Sequence, residues 1–582
     1  MNKIFRVQDI KELGYQIRLF GVHINNRKNL IGLRSTTKIN LDIRRLSTVK
    51  GDDENKRLKV PKELINSIKE LLRNNIWPMK SPLRKAIIEH VYDVQKDVAI
   101  RVNNTKTINN NIKIIMKEYV SSLPLAIMAI HNVLTNAGAK TPGIDNITIK
   151  TDKEKIDLLN DLSYKGLQNY KPSPVRRVTI YEPLKKKNRP LGIPTIKDRC
   201  VQELFRLVLD PAIDVISDTE SYGFRKYRNC HMALGRLQAS LKRNPSNMIV
   251  IDADIKSFFD TLDHNWISKN FPFPSKYEFI LDSWLKAGIF ENDKFVDSDT
   301  GVPQGGIISP LIANFTLNTL QTEVFKGIKT AYKGTDGKFH DLIKTLVRYA
   351  DDFVIVTNHE PAVEQILSNL KNFLKERGLE LNLTKTKIIN YKQLKENESA
   401  AFTFLGFTFN YIKNPKISSF NNRCDLLEKE KVFIYPARNK FIAVKRKIKD
   451  IISKNLNLSA YQLIKILNPI IVGWANYFGK SVSAKTLAQL DNYIYRRLWA
   501  WLKKKYPKTS KVFLADKYFL FNDDKIRASE GLKSKGKGKR KWHFHGCLDT
   551  PNKNTLRRNK SVVLLKLATK QLKINYRGLF PR

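Results

Sequence analysis

The chain is short of acid. Its 582 residues hold 55 Asp and Glu against 104 Lys and Arg, a formal net charge of +49. A compact fold with so large an excess of one sign repels itself, and a polyanionic partner relieves that repulsion. A ribosome-like structural protein or an anionic-membrane binder fits the same number. Nucleic acid is the stronger reading, and charge alone does not separate DNA from RNA. Cysteine is scarce as well: Cys200, Cys230, Cys424 and Cys547 are scattered, with no C-x-x-C pair. That argues against a disulfide framework or a structural zinc site and fits a reducing compartment. His543, His545 and Cys547 stand close together without a fourth ligand at ordinary spacing, so they read as solvated loop residues. Long apolar runs are missing. The most apolar stretch, residues 123–134, includes His131 and falls short of the ~18 residues a membrane span needs, so no membrane is expected. The N-terminus has no secretory apolar core. It is basic, broken early by Asp9 and Glu12, which is compatible with a transit peptide.

What is present supports a globular protein. Hydrophobic residues make up 42% of the chain, enough for a packed core. Lys, Asn and Ile, whose codons are A/T-rich, are abundant. That hints at an organelle genome, mitochondrion ahead of plastid, with a bacterial cytoplasm as the alternative. Residues 1–115 carry little beyond an amphipathic helix over 61–75 and a loop or linker over 103–111. From about 116 the pattern is regular. Residues 198–216 read as a helix with Val201, Leu204, Phe205 and Val208 on one face and Asp198 as N-cap. Residues 247–253 read as an apolar strand buried on both faces. Residues 345–348 and 353–356 flank Tyr349-Ala350-Asp351-Asp352, a hairpin with acids at its tip. A helix over 363–374 ends before Gly378, and 379–391 and 401–411 look strand-like. The fold class is α+β, a sheet with helices on one side, turning helical and more basic after about 430. Residues 531–541 form a low-complexity basic linker.

In so basic a chain, acids clustered at strand ends need a reason. Asp254 ends an apolar strand and precedes Ile255-Lys256-Ser257-Phe258-Phe259-Asp260; Asp351 and Asp352 sit at the hairpin tip. If the two strands are sheet neighbours, three carboxylates converge and raise one another's pKa. Mg²⁺ resolves that conflict, since it takes oxygen ligands from one or two carboxylates plus substrate phosphates. Two such ions serve phosphoryl transfer. The plainer reading, an Asp-Asp capping an ordinary turn, does not account for the matching strand–Asp–aromatic element.

These residues resemble the group II intron-encoded reverse transcriptase/maturases. The likeness runs in order from about 134 to 510. Its motifs are Thr141-Pro142-Gly143-Ile144-Asp145, Arg189-Pro190-Leu191-Gly192-Ile193-Pro194 and Ser221-Tyr222-Gly223-Phe224-Arg225, then the Asp254 element and Gly301-Val302-Pro303-Gln304-Gly305-Gly306 with Ser309-Pro310-Leu311. Tyr349-Ala350-Asp351-Asp352, Leu381-Asn382 with Lys385-Thr386, and Phe404-Leu405-Gly406-Phe407 follow. Leu467-Asn468-Pro469 and Gly473-Trp474-Ala475-Asn476-Tyr477-Phe478 resemble the maturase domain X, which sets this family apart from retroviral, retron and telomerase enzymes.

The resemblance implies a right-hand polymerase, with fingers and an antiparallel palm over 116–425. A helical thumb or domain X over 426–525 and a basic tail over 526–582, in the place of a DNA-binding region, would follow. It implies two Mg²⁺ ions, with Mn²⁺ as a substitute, held by Asp254, Asp351, Asp352 and the Ile255 carbonyl. Arg189, Phe259, Gln304 and Lys385 would meet the dNTP, with Phe259 excluding a 2′-hydroxyl and Lys385 supporting the leaving pyrophosphate. Tyr349, Leu405 and Gly406 would face the template and primer. Lys445, Arg446, Lys447, Arg496 and Arg497, interleaved with aromatics, would bind RNA; the helical Trp and Tyr residues are the candidates for core packing. Partners would be group II intron RNA, a DNA primer or target and dNTPs; a homodimer is left open. The fingers segment Tyr181-Glu182-Pro183-Leu184-Lys185-Lys186-Lys187-Asn188 lacks the usual glycine turn, and Arg225-Lys226-Tyr227-Arg228 replaces the usual Arg-Pro-Gly-Arg. No Cys-pair nuclease motif follows domain X, so target cleavage by this chain is not expected. The alternative function is a maturase that binds intron RNA without polymerase activity. The intact acid set favours a polymerase.

Overall fold

The computed structural model describes residues 58–182, 187–242, 245–291, 294–329, 331–333, 337, 339–396, 398–413, 430–479, 484–520, 543–546 and 562–563. Lys185, Lys186, Cys424, Cys547 and the basic linker lie outside these residues. The chain from 58 onward is no separate extension. Helices Lys62–Arg73, Arg84–Thr105, Asn110–Val120 and Leu123–Thr135 share one core with the long helix Ile196–Ile216. Ile87, Val91, Val94, Val98 and Val102 recur at helical spacing and are buried, as the burial of one helical stripe requires. The apolar 123–134 stretch is a core helix, buried at Leu125, Ile127, Ala129 and Ile130. Among the described residues no single helix is long and apolar enough to cross a membrane. The expected linker over 103–111 is shorter: one helix runs to Thr105, Lys106 turns left-handed, and the next starts at Asn110.

The long helix begins two residues before its expected cap. Thr195 is the N-cap, its hydroxyl accepting from the Asp198 amide at 3.1 Å. Asp198 lies inside the first turn, where its carboxylate accepts from the hydroxyls of Tyr170 and Thr195, both at 2.7 Å. It is therefore a buried anchor, and burial pushes its carboxyl up despite those bonds.

Two sheets position the site, a mixed one in the fingers and an antiparallel one in the palm. In the fingers, Val175–Glu182 pairs with Lys187–Ile193, and a shorter hairpin, Ile289–Glu291 with Lys294–Val296, extends the sheet. In the palm the strand order is Lys387–Asn390, Ile249–Ala253, Asp352–Thr357, Thr345–Tyr349. Alternate residues of these palm strands feed different cores. Ile249, Ile251, Phe353 and Ile355 pack on the fingers-side helices. Val250, Val354 and Val356 pack with Leu234 and Leu237 of helix Cys230–Lys242 and with Phe404, Phe407 and Phe409. The expectation of helices on one side is thus corrected. The second face is also covered, by a helix and a further sheet, Ser399–Phe404, Phe407–Lys413 and Glu430–Pro436. Of the strand-like 379–391 segment only Lys387–Asn390 forms a ladder; Leu381 makes a single bridge to Ile255.

Helices Arg438–Lys454, Ala460–Phe478, Ala484–Lys505 and Lys511–Tyr518 then build the helical region. His543–Gly546 is a strand between Phe519–Leu520 and Val562–Val563, with Phe544 fully buried. The loop reading of His543 and His545 is corrected: the buried aromatic between them anchors a strand to the thumb-side core.

Candidate active site

The palm hairpin closes through Ala350 and Asp351, with Tyr349 opposite Asp352. Ala350 holds φ +59, a left-handed conformation that costs a non-glycine residue roughly 1 kcal/mol. The surroundings enforce it. Arg348 is buried, and its guanidinium donates to Asn314 Oδ1 at 3.2 Å and the Ala350 carbonyl at 3.3 Å. Asn314 Nδ2 donates to the Gly223 carbonyl at 2.7 Å. Gly223 lies so close that a Cβ there would meet the Ala350 backbone. Burial pushes the Arg348 guanidinium down to about 10, with Asp218 opposing.

The neighbouring strand brings the first acid to this turn. Asp252 pairs with Val354 and Ala253 with Phe353, so the next position places Asp254 opposite Asp352. Asp254 Oδ2 accepts from Lys385 Nζ at 2.9 Å and Asn382 Nδ2 at 3.1 Å. Asn382 N also donates to the Asp254 carbonyl, and Lys256 N to Glu380 O. In such a pair the residue between, Ile255, turns its own N–H and C=O away from Leu381. Asp252, two residues before Asp254, shares its face of the strand. This acid carries no motif signal and was missed in the sequence. Burial, then the Asp254 charge, raise its carboxyl to about 6 against the pull of Lys387. Asp352 is pushed further, to about 7, by burial first and then by Asp252, Asp351 and Asp254; an N–H bond from Leu405 opposes this.

Among the described residues no three His, Cys, Asp or Glu side chains already form a metal cage. The acids share one field, while Asp254 leans on Lys385. Mutually repelling carboxylate oxygens suit a hard divalent cation.

Of the expected nucleotide residues, Phe259 and Gln304 line one cleft of about 260 Å³, together with Arg177, Pro190, Gly192 and Asp260 among others. Arg189 Nε donates to Gln304 Oε1 at 3.4 Å, and the Gly192 amide to the Gln304 carbonyl at 2.6 Å. Gly305, at φ +125, packs on the Gly192 carbonyl with no room for a Cβ. Phe259 stands half-buried in a short turn after Ser257, edge-on to the buried Phe258 at 5.2 Å. Phe258 is a core residue, and Phe259 both packs against that core and borders the cleft. Lys385 stands apart from this cleft set, paired with Asp254.

Leu405 and Gly406, at φ +50 and +78, form the tip of the Phe404–Phe407 turn. The Leu405 amide reaches Asp352, and its carbonyl accepts from the Tyr477 hydroxyl at 2.9 Å. The Tyr477 carbonyl in turn accepts from His231 Nε2 at 2.7 Å. Tyr349 is half-buried, and burial with nearby Cys230 raises its phenol. In the thumb, Lys445 lies over Phe441 at 4.3 Å and Tyr493 at 5.3 Å, and Arg497 over Tyr493 at 5.0 Å. Arg446, Lys447 and Arg496 are exposed, whereas Trp474 and Trp501 are core residues.

Comparison with known proteins agrees with this layout. Residues 171–409 match the family "Reverse transcriptase (RNA-dependent DNA polymerase)" and 442–519 match "Group II intron, maturase-specific domain". The chain is 29% identical over 450 residues to the Group II intron-encoded protein LtrA of Lactococcus lactis subsp. cremoris, covering 65% of this chain and 72% of that one. It is 32% identical over 287 residues to Protein YkfC of Escherichia coli, covering 44% and 74%. It is 30% identical over 329 residues to the Putative COX1/OXI3 intron 1 protein of Saccharomyces cerevisiae, covering 49% and 38%. The chain belongs to the group II intron-encoded reverse transcriptases that carry a maturase domain.

Proposed function

We propose that this chain copies RNA into DNA at the palm acids and holds its host intron RNA on the basic thumb to assist splicing. The observation that carries the reading is the gathering of Asp252, Asp254, Asp351 and Asp352 in one field within a protein of net charge +49. Asp254, Asp351 and Asp352, with the Ile255 carbonyl, would hold two Mg²⁺ ions, or Mn²⁺ in their place. When bound, these ions supply activation of the attacking hydroxyl and charge neutralisation at the phosphate. Lys385 balances Asp254 in the free protein and stands ready to meet the leaving pyrophosphate. Arg189 binds the incoming triphosphate, since its planar fork matches phosphate oxygens. Gln304 fixes the base-pairing side of the cleft, and Phe259 blocks a 2′-hydroxyl. Tyr349 and the Leu405–Gly406 tip carry the template and primer. The abundance of Lys, Asn and Ile, and kinship with proteins of yeast introns, support a mitochondrial location.

The test is primer extension on an RNA template with dNTPs and Mg²⁺. Asp351→Ala is expected to abolish extension while leaving intron-RNA affinity within about twofold. Extension by the wild type separates this reading from a splicing-only maturase: folded, RNA-binding protein that does not extend would leave only the maturase role. Phe259→Ala should admit ribonucleotides, scored by rNTP incorporation.

A further inference from the structure

The loop that braces the catalytic turn presents two aromatic rings to solvent at a conformational cost. Phe224 and Tyr227 hold φ +57 and +61, where glycine is the unstrained residue. They are 57% and 76% exposed, so burial returns almost nothing for that strain. The loop is nevertheless fixed. Arg225 donates to Asp214 Oδ1 at 2.6 Å and to the carbonyls of Asp218 and Ser221 at 2.7 and 2.9 Å. Lys226 reaches Gln95 at 3.3 Å, and Arg228 donates to the Thr219 carbonyl at 3.1 Å. Gly223 seats the same loop against Ala350 of the acidic turn. A rigid, strained, solvent-facing aromatic between Lys226 and Arg228, beside a polymerase site, has the features of a stacking platform. Ring faces take any base, and the flanking cations suit the backbone. Strain kept where it gives no packing points to function.

We propose that Tyr227, with Phe224 beside it, stacks on an unpaired base of the RNA strand entering the palm. This rests on the polymerase reading, and its test is separable from it. The full chain would be measured as wild type, Tyr227→Gly and Tyr227→Phe. The probes are an RNA–DNA duplex with a 5′ RNA overhang and the same duplex made blunt. Affinity is read by fluorescence anisotropy and thermal stability by melting of the free protein. Tyr227→Gly should melt higher, because the left-handed strain is relieved. It should bind the overhang probe roughly 5- to 50-fold more weakly and the blunt probe as the wild type does. Tyr227→Phe should bind both as the wild type does. Wild-type affinity of Tyr227→Gly for the overhang would overturn the proposal, as would an equal loss on both probes or a matching loss in Tyr227→Phe. A wild type that binds but does not extend would instead remove the polymerase reading and leave the stacking result standing.

Discussion

In the metal-free protein Asp352 and Asp252 keep their carboxyls near 7 and 6, raised by burial and by neighbouring acids. In the unfolded chain both return to about 3.9. The folded state therefore binds their protons more tightly. The stability this confers is complete below about pH 4 and is lost as pH rises through 6 and 7. Melting without metal should accordingly be lower at pH 8 than at pH 5.5 from this pair, and added Mg²⁺ should raise it more at pH 8. Asp352→Asn removes one like charge, so it should melt a few degrees higher than the wild type at pH 8 without metal, while primer extension is lost. A lower melting temperature for that variant at pH 8 would show that the carboxylate has a stabilising partner instead. The residues behind this were unequally legible. Asp254, Asp351 and Asp352 stand out because each ends or joins an apolar strand. Asp252 sits inside one. Its only signal was parity, since Ile249, Ile251 and Ala253 serve one core and Val250 and Asp252 face the other side.

A chain of contacts at the scale of elements links the thumb to the palm. The hydroxyl of Tyr477, on helix Ala460–Phe478, holds the Leu405 carbonyl, and the Leu405 amide holds Asp352. The hairpin tip thus lies between a thumb helix and Asp352, one of the acids proposed to hold metal. Tyr477→Phe removes one link and keeps the ring stack on Phe407 at 5.6 Å. It should cost about 1 kcal/mol of stability and slow primer extension, with intron-RNA binding unchanged. Normal extension rates in that variant would mean the tip is held by packing alone. The turn itself was legible only through the family resemblance of Phe404-Leu405-Gly406-Phe407; by pattern alone 401–411 read as one strand-like run, which the structure breaks at Leu405 and Gly406. The link to Tyr477 was not legible, since a contact across 72 positions leaves no local periodicity. Residues 379–391 misled for the converse reason. Leu379 and Leu381 alternate like a strand, but Leu383 is 66% exposed and the ladder starts only at Lys387.

At the scale of the whole molecule, the order fingers, palm and thumb was readable from motif order. Burial on both faces was readable for the palm sheet at 247–253, but the cover on its second face was not. Its central strands are mostly apolar, and such strands do not reveal what covers each face. Nor did sequence show that the helices from Lys62 onward join the fingers core, because their apolar stripes fit any partner. The charge of +49 can now be divided by what each cation does. Lys445 and Arg497 lie on the Tyr493 ring and cover apolar surface. Arg446, Lys447 and Arg496 stand exposed, so they are free to neutralise phosphate. Each neutralised phosphate contributes about 0.7 to 0.9 to the log–log salt slope of binding. Changing Arg446, Lys447 and Arg496 together to Ala should weaken intron-RNA binding and flatten the slope by roughly 2 to 3, with the melting temperature held. Changing Lys445 and Arg497 should lower the melting temperature instead, because the Tyr493 stack is lost, and should move the slope less. The two variants therefore cross in opposite directions on two measurements. A long-range field spread over the whole surface would predict a smaller, similar slope change for both.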